Sequence, residues 1–247
     1  MALKIVPKIF REFPEVRAAM TLRGNSSTPY GFNLSAHIGD DPERVEANRR
    51  KAAEMLGFRP DHLAVQKQVH GNTIVEVDDG YQLGESDALY TSQNGWLLGI
   101  SVADCVPVLL YDPDAGVVAG VHSGWRGTLA GIGSAAVEQI SAAAGVRPEN
   151  LRAWIGPSAG VCCYEVGPDV AELFPAVHSC ALENGKFLFD NRGAVLAGLL
   201  GAGLREQHIE VDMRCSICDE RFHSYRRDGG RSGRMYALIG MVDERSP

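Results

Sequence analysis

The sequence predicts an α/β or α+β fold, a mixed β-sheet core flanked by helices in a single domain spanning residues 1–247. Three observations lead there. The runs at 96–102, 106–111 and 117–121 are nearly continuous in apolar residues, the pattern of strands covered on both faces. The segment 128–144 carries a helical apolar face and stops at Gly145. Strands and helices mix without strict alternation, so the sheet is expected to be mixed.

In chain order, residues 1–23 read as one or two strands around Pro14, with 16–22 as the second. Residues 24–31 are rich in turn formers and read as an exposed loop. Asp41 is a good N-cap with Pro42 at the first helical position, so a helix is expected over 42–56, closed by Gly57 and facing inward through Val45, Arg49, Ala52 and Leu56. Residues 63–69 and 73–77 are β-like around Gly71-Asn72, which places His70 at a strand end. Further strands are expected at 87–91, 96–102, 106–111 and 117–121, and the turn at 112–116 makes the last two hairpin-like. A helix over 128–144, a strand at 152–155, helices at 168–174 and 191–204, and strands at 209–213 and 235–241 complete the pattern.

The 247 residues are 45% hydrophobic, enough for a sizeable core. A net charge of −7 argues against general binding to nucleic acid or acidic membranes. The first ten residues do not read as a signal peptide, and no run approaches the roughly 18 apolar residues of a membrane span. The cytoplasm is the expected compartment. There the six cysteines are read as buried, metal-binding or catalytic rather than bridged.

Cys105 and His122 lie at the ends of two apolar runs separated only by a turn, and His70 sits upstream at another strand end. Two histidines and a cysteine suit zinc, whose catalytic sites keep three protein ligands and one open position. Cys105 and His122 alone would equally make a nucleophile and its base. At this level both readings stand, beside the plain one of buried polar residues satisfied by backbone. Ser123-Gly-Trp-Arg-Gly-Thr128 opens a helix, and its glycines and Arg126 suit a phosphate or carboxylate. The stretch 221–234 is basic and glycine-rich within an acidic chain, which makes Arg226 and Arg227 anion-binding candidates. Cys215-Ser-Ile-Cys218 is a lone CxxC and reads as structural; Cys162-Cys163 reads as packing near the site. His37, His62, His178, His208 and His223 have no visible partner, and most read as surface or turn residues. Asp104 would point away from Cys105 if its strand were regular.

Several stretches together resemble the YfiH-like proteins, long called multicopper polyphenol oxidases or laccase-domain proteins. They are Asn33-Leu34 with His37-Ile-Gly-Asp-Asp-Pro42, Gln68-Val-His-Gly71, Ser86-Asp-Ala88, Ala103-Asp-Cys-Val-Pro-Val-Leu-Leu110 and His122-Ser-Gly-Trp-Arg-Gly127. Ile155-Gly-Pro157, Cys162-Cys-Tyr-Glu-Val-Gly167, Ser224-Tyr-Arg-Arg-Asp-Gly229 and Gly233-Arg-Met235 follow in family order over nearly the whole chain. The resemblance implies a layered α/β fold, zinc on His70, Cys105 and His122, and substrate contacts that include Asn33. It implies a purine nucleoside phosphorylase acting on adenosine and inosine with phosphate, with adenosine deaminase activity beside it. Ser35 and Ser123 depart from the family's glycine and alanine and leave the three ligand positions intact.

Two other activities are weighed. A copper-dependent polyphenol oxidase is compatible with a cysteine and two histidines. Seven histidines without an HxH pair, however, fall short of the roughly ten a multicopper laccase uses. A cysteine hydrolase active in peptidoglycan editing would use Cys105 as nucleophile and His122 as base. The deaminase pattern H-x-E with P-C-x-x-C is absent, so deamination here requires a different arrangement.

Overall fold

The computed structural model describes residues 3–24, 28 and 30–242. Part of the turn-rich stretch 24–31 therefore lies outside the described residues. Two mixed sheets stack face to face. One has five strands, with Met235–Met241 at its centre between Val16–Thr21 and Leu97–Val102. The other has six, built around the hairpin Val106–Asp112 and Val117–Ser123. A small third sheet joins Glu165–Val166, Phe187–Phe189 and Ser179–Ala181.

The apolar runs are continuous because each central strand feeds two cores. Side chains alternate across a strand. Leu109 and Tyr111 enter the core between the two sheets, where Ile100, Met20 and Ile239 come from the opposite sheet. Val108 and Leu110 face the other way, onto Ile132, Ala136, Val137 and Ile140 of the helix Ile132–Ala144 and Leu199 of Asn191–Gly201. On the far side of the five-stranded sheet, Leu97 and Leu238 pack on Ala52, Ala53 and Leu56 at the helix Pro42–Glu54. The order is helix, sheet, sheet, helices. The sheets meet closely at Gly120, where a Cβ would lie 2.6 Å from Ile100 Cγ1.

The expected architecture matches, and its differences are local. The helix expected at 128–144 is two helices, Trp125–Leu129 and Ile132–Ala144, broken at Gly131 with φ 72°. The strand expected at 63–69 stops at Ala64. Beyond it the chain leaves the sheet, and the Gln68 side chain exchanges two hydrogen bonds with the Ser101 backbone, at 2.8 and 2.7 Å. The helix expected at 168–174 is the single turn Pro168–Ala171. The three-stranded sheet was not expected, since its strands of two or three residues are too short to show a period. Among the described residues no helix is long and apolar enough to cross a membrane.

Candidate active site

The hairpin does what its sequence suggests. Its strands are antiparallel with Pro107 opposite His122 and Val106 opposite Ser123, so Cys105 and His122 reach the same sheet end. The loop carrying His70 arrives beside them, with His70 in the left-handed region at φ 62°. The ligand-type atoms of His70, Cys105 and His122 lie within 4.8 Å of one another. Cys105 Sγ is 3.9 Å from His70 Nε2, and the two imidazoles are nearly perpendicular, at 82°.

The residue that organises them is Asp87, quoted above within Ser86-Asp-Ala88 but given no role there. It is fully buried at the start of a strand of the six-stranded sheet. Its Oδ1 accepts from His122 Nδ1 at 2.8 Å and from the His70 backbone N–H at 2.9 Å. Its Oδ2 accepts from the N–H groups of Gly71 at 2.7 Å and Val69 at 3.2 Å. One carboxylate thus fixes the His122 ring, leaving Nε2 for the site, and folds the loop that presents His70. Burial pushes the Asp87 carboxyl up, but the His122 hydrogen bond and the backbone donors outweigh it and hold it below the usual range.

Opposed effects also act on the pair. Burial raises the Cys105 thiol, yet the nearby His122 and His70 rings bring it down to about 6. Burial lowers His122, while Cys105 and Asp87 raise it to about 9. The pocket therefore favours a thiolate, the form that binds metal or attacks carbon. Its donor set fits zinc: with tetrahedral bonds near 2.0 and 2.3 Å, nitrogen and sulfur ligands sit roughly 3.5 Å apart, against the 3.9 Å between Cys105 and His70. The carboxylate on the far nitrogen of a histidine is the usual outer partner of such a ligand.

Gly124 closes the back of the cluster. A Cβ there would lie 2.9 Å from His70 Cδ2 and 3.1 Å from Cys105 Sγ. Gly124→Ala is expected to spread the two side chains and weaken any metal binding by the cluster at least about tenfold, measured by chelator competition.

The cluster opens into a cavity of about 650 Å³. Arg126, Arg226 and Arg234 supply positive charge along its walls, with Tyr164 and Tyr225 beside them. Arg126 lies 4.2 Å from the Trp125 ring centre, and Arg226 lies 5.3 Å from that of Tyr164. Gln66 lines the cavity too; it is buried, and neither its side-chain oxygen nor its nitrogen has a hydrogen-bond partner.

Other sequence candidates are placed elsewhere. Asn33 is fully buried outside the cavity wall. Its Oδ1 accepts from the Arg234 backbone N–H and its Nδ2 donates to Asp40, so it holds the segment that carries Arg234. Arg227 is also absent from the wall; its guanidinium donates to the carbonyls of Ser216, Ile217 and Phe222. Asp104 is not in a regular strand, so the condition under which it would point away from Cys105 is not met. It has φ 88° and lines the cavity next to Cys105. Its carboxylate accepts from Ser216, Ser224 and the Arg226 backbone N–H, which anchors the basic segment. His223, read with the surface histidines, is fully buried, and His37 lines the cavity. Cys162 and Cys163, read as packing, meet Cys215 and Cys218 in a four-sulfur cluster.

Comparison with known proteins adds the following. Residues 17–242 match the family described as multi-copper polyphenol oxidoreductase laccase. A purine nucleoside phosphorylase of Deinococcus radiodurans is 45% identical over 225 residues, 88% of this chain and 85% of that protein. An adenosine deaminase of an unknown prokaryotic organism is 36% identical, covering 91% of this chain and 93% of its own. The crystal structure of YfiH from Bacillus licheniformis superposes with a TM-score of 0.92 at 29% identity, over 98% of this chain and 97% of that one. That of YlmD from Geobacillus stearothermophilus gives 0.88 at 34% identity, over 94% of each chain.

Proposed function

This chain belongs to the multi-copper polyphenol oxidoreductase laccase family, the YfiH-like proteins, and within it we propose a zinc-dependent purine nucleoside phosphorylase acting on inosine and adenosine, with adenosine deamination as a side activity. Residues 1–247 would work as one catalytic domain. The observation that carries the reading is the placement of the His70, Cys105 and His122 donors at the end of a cavity with arginines and an unpaired amide in its walls. At about 650 Å³ the cavity has the size of small-molecule sites.

In phosphorolysis a phosphate oxygen bonds to the anomeric carbon of the ribose. The bond from that carbon to the purine nitrogen breaks, and its electron pair leaves with the base. The purine nitrogen takes up the proton that the attacking hydrogen phosphate gives up, so the products are ribose 1-phosphate and free purine. Arg126 and Arg226 hold phosphate and offset its charge as it approaches. Arg227 and Asn33 serve by fixing the segments that carry Arg226 and Arg234. Gln66 pairs its carbonyl and amide with the polar edge of the base. His70, Cys105 and His122 would hold the zinc, and Asp87 orients His122. Bound there, zinc would supply Lewis acidity and lower the pKa of water, the chemistry that deamination needs.

Two features support zinc over multicopper chemistry. Among the described residues, the metal-capable groups are this cluster and a set of four cysteines, with no further histidine cluster for additional coppers. Among the described residues no methionine lines the cavity to serve as the weak axial ligand of a blue-copper site. One observation favours a second reading. Cys105, His122 and Asp87 also have the order of a nucleophile, base and orienting carboxylate. The third donor, His70, would only support the thiolate in a cysteine hydrolase, whereas it completes a metal set.

The test is hypoxanthine release from inosine with and without phosphate, before and after removal of metal. Phosphate-dependent release that fails on chelation and returns with zinc supports the proposal. Amide hydrolysis that persists in metal-free protein would establish the hydrolase instead. Gln66→Leu is expected to raise the KM for inosine about tenfold, because it removes the hydrogen bonds and leaves the base edge unpaired; steady-state kinetics at saturating phosphate measure it.

A further inference from the structure

Five of the six cysteines take no part in the site above, and four of these five come together. Cys162 and Cys163 lie on the turn after the strand Arg152–Ile155, and Cys215 and Cys218 on the turn after Ile209–Val211. Those two strands run parallel as neighbours, and the pairing continues past their ends through a bridge between Ser158 and Cys215. The turns are thereby stacked at one end of the six-stranded sheet. Their sulfurs are 3.6 Å apart for Cys162 and Cys163, 3.5 Å for Cys162 and Cys218, 3.4 Å for Cys163 and Cys215, and 3.2 Å for Cys163 and Cys218. All four lie within 4.8 Å of one another.

We propose that these four cysteines form a second metal site, a tetrathiolate centre for zinc, distinct from the cavity cluster. In a tetrahedron with zinc–sulfur bonds near 2.3 Å the sulfurs are about 3.8 Å apart, a small expansion from the separations present. The CxxC of Cys215 and Cys218 has the ligand spacing of structural zinc sites. The surroundings suit a negatively charged centre. The Gly160 N–H donates to Cys215 Sγ at 3.2 Å. The buried Arg192 stands against the cluster: a Cβ at Gly160 would lie 3.2 Å from Cys162 Sγ and 3.3 Å from Arg192 Nη2. A buried guanidinium beside four thiolates offsets the net charge that zinc leaves uncompensated.

The centre would act as a clamp on the cavity wall. Tyr164 follows Cys163 directly and lines the cavity. Ser216, between the other two ligands, donates to the Asp104 carboxylate that anchors Arg226. Fixing the two turns together fixes one side of the cavity without touching substrate.

The test uses the full-length protein, purified reduced and supplied with zinc, and metal analysis on native protein. The expected content is about two zinc ions per chain, one per donor cluster. Cys105→Ala is expected to keep about one, and so is the double variant Cys163→Ser with Cys215→Ser. Cobalt in place of zinc reads the ligands directly: Cys105→Ala should retain most of the thiolate-to-cobalt absorption and the double serine variant should lose most of it. The wild-type cobalt spectrum and zinc content stand even if the double variant does not fold. One zinc per chain, with four thiols that react freely in the native protein, would overturn the proposal. So would a mass deficit showing disulfides among these cysteines in the reduced preparation. Failure of the cavity cluster to bind zinc would leave this outcome separately readable, because the Cys105→Ala variant tests the tetrathiolate alone.

Discussion

Cys105→Ala is expected to abolish zinc binding at the cavity cluster and to lower kcat/KM for inosine phosphorolysis by about a thousandfold or more. The ligand contributes the thiolate that two histidines hold at a pKa of about 6. Removing it leaves His70 and His122 without the thiolate charge that helps hold a divalent cation. A loss of about 4 kcal/mol of transition-state stabilisation, the scale of metal-ion catalysis, corresponds to about three orders of magnitude. The metal-free wild-type site gives an independent check through protons. His122 is raised to about 9 and Cys105 lowered to about 6, so between those values the pair is imidazolium and thiolate. Zinc requires a neutral imidazole and therefore displaces one proton. Its affinity should rise about tenfold per pH unit from pH 6 to 9 and level off above. Zinc titration at several pH values in the presence of a competing chelator measures the slope. A flat profile would show that His122 is already neutral and the ion pair absent.

The fold and the pairing of Cys105 with His122 were legible for the same reason. Apolar runs ending in Cys105 and His122, joined by a short turn, dictate a hairpin, and a hairpin dictates a shared end. What stayed hidden depends on contacts between segments far apart in sequence. Asp87 shows nothing unusual in Ser86-Asp-Ala88. Its role arises only when the amides of residues 69–71 curl around it. The Cys215 and Cys218 pair looked isolated because its counterpart lies on a different turn, brought alongside by the parallel pairing of two strands. The basic segment was visible as charge, but charge does not say which arginine faces the cavity. Arg226 does, while Arg227 turns inward to three carbonyls. The direction of Asp104 depended on a regular strand, and a positive φ in a non-glycine residue breaks that alternation.

The second large effect belongs to Asp87, a residue that touches neither metal nor substrate. Asp87→Asn keeps the shape of the side chain and offers one acceptor oxygen in place of two. Four donors converge on the carboxylate: His122 Nδ1 and the backbone N–H groups of Val69, His70 and Gly71. An amide NH₂ group must then face donors on one side, so hydrogen bonds are replaced by opposed dipoles in a fully buried position. The expected cost is about 2–4 kcal/mol of stability together with a 10–100-fold loss of zinc affinity, since both His122 and the His70 loop lose their fixed orientation. The pH dependence identifies the cause. A carboxyl held below its unfolded pKa of about 3.9 contributes stability above that value, and the contribution fades as pH falls through the folded pKa. The stability difference between wild type and Asp87→Asn, measured on metal-free protein by urea unfolding, should therefore be full at pH 7 and shrink below about pH 4. A difference that holds constant into acid would mean that the carboxylate charge contributes nothing and that Asp87 acts through shape alone. A purely structural defect would also lower stability without changing zinc affinity per folded molecule, and chelator competition on the folded fraction separates the two.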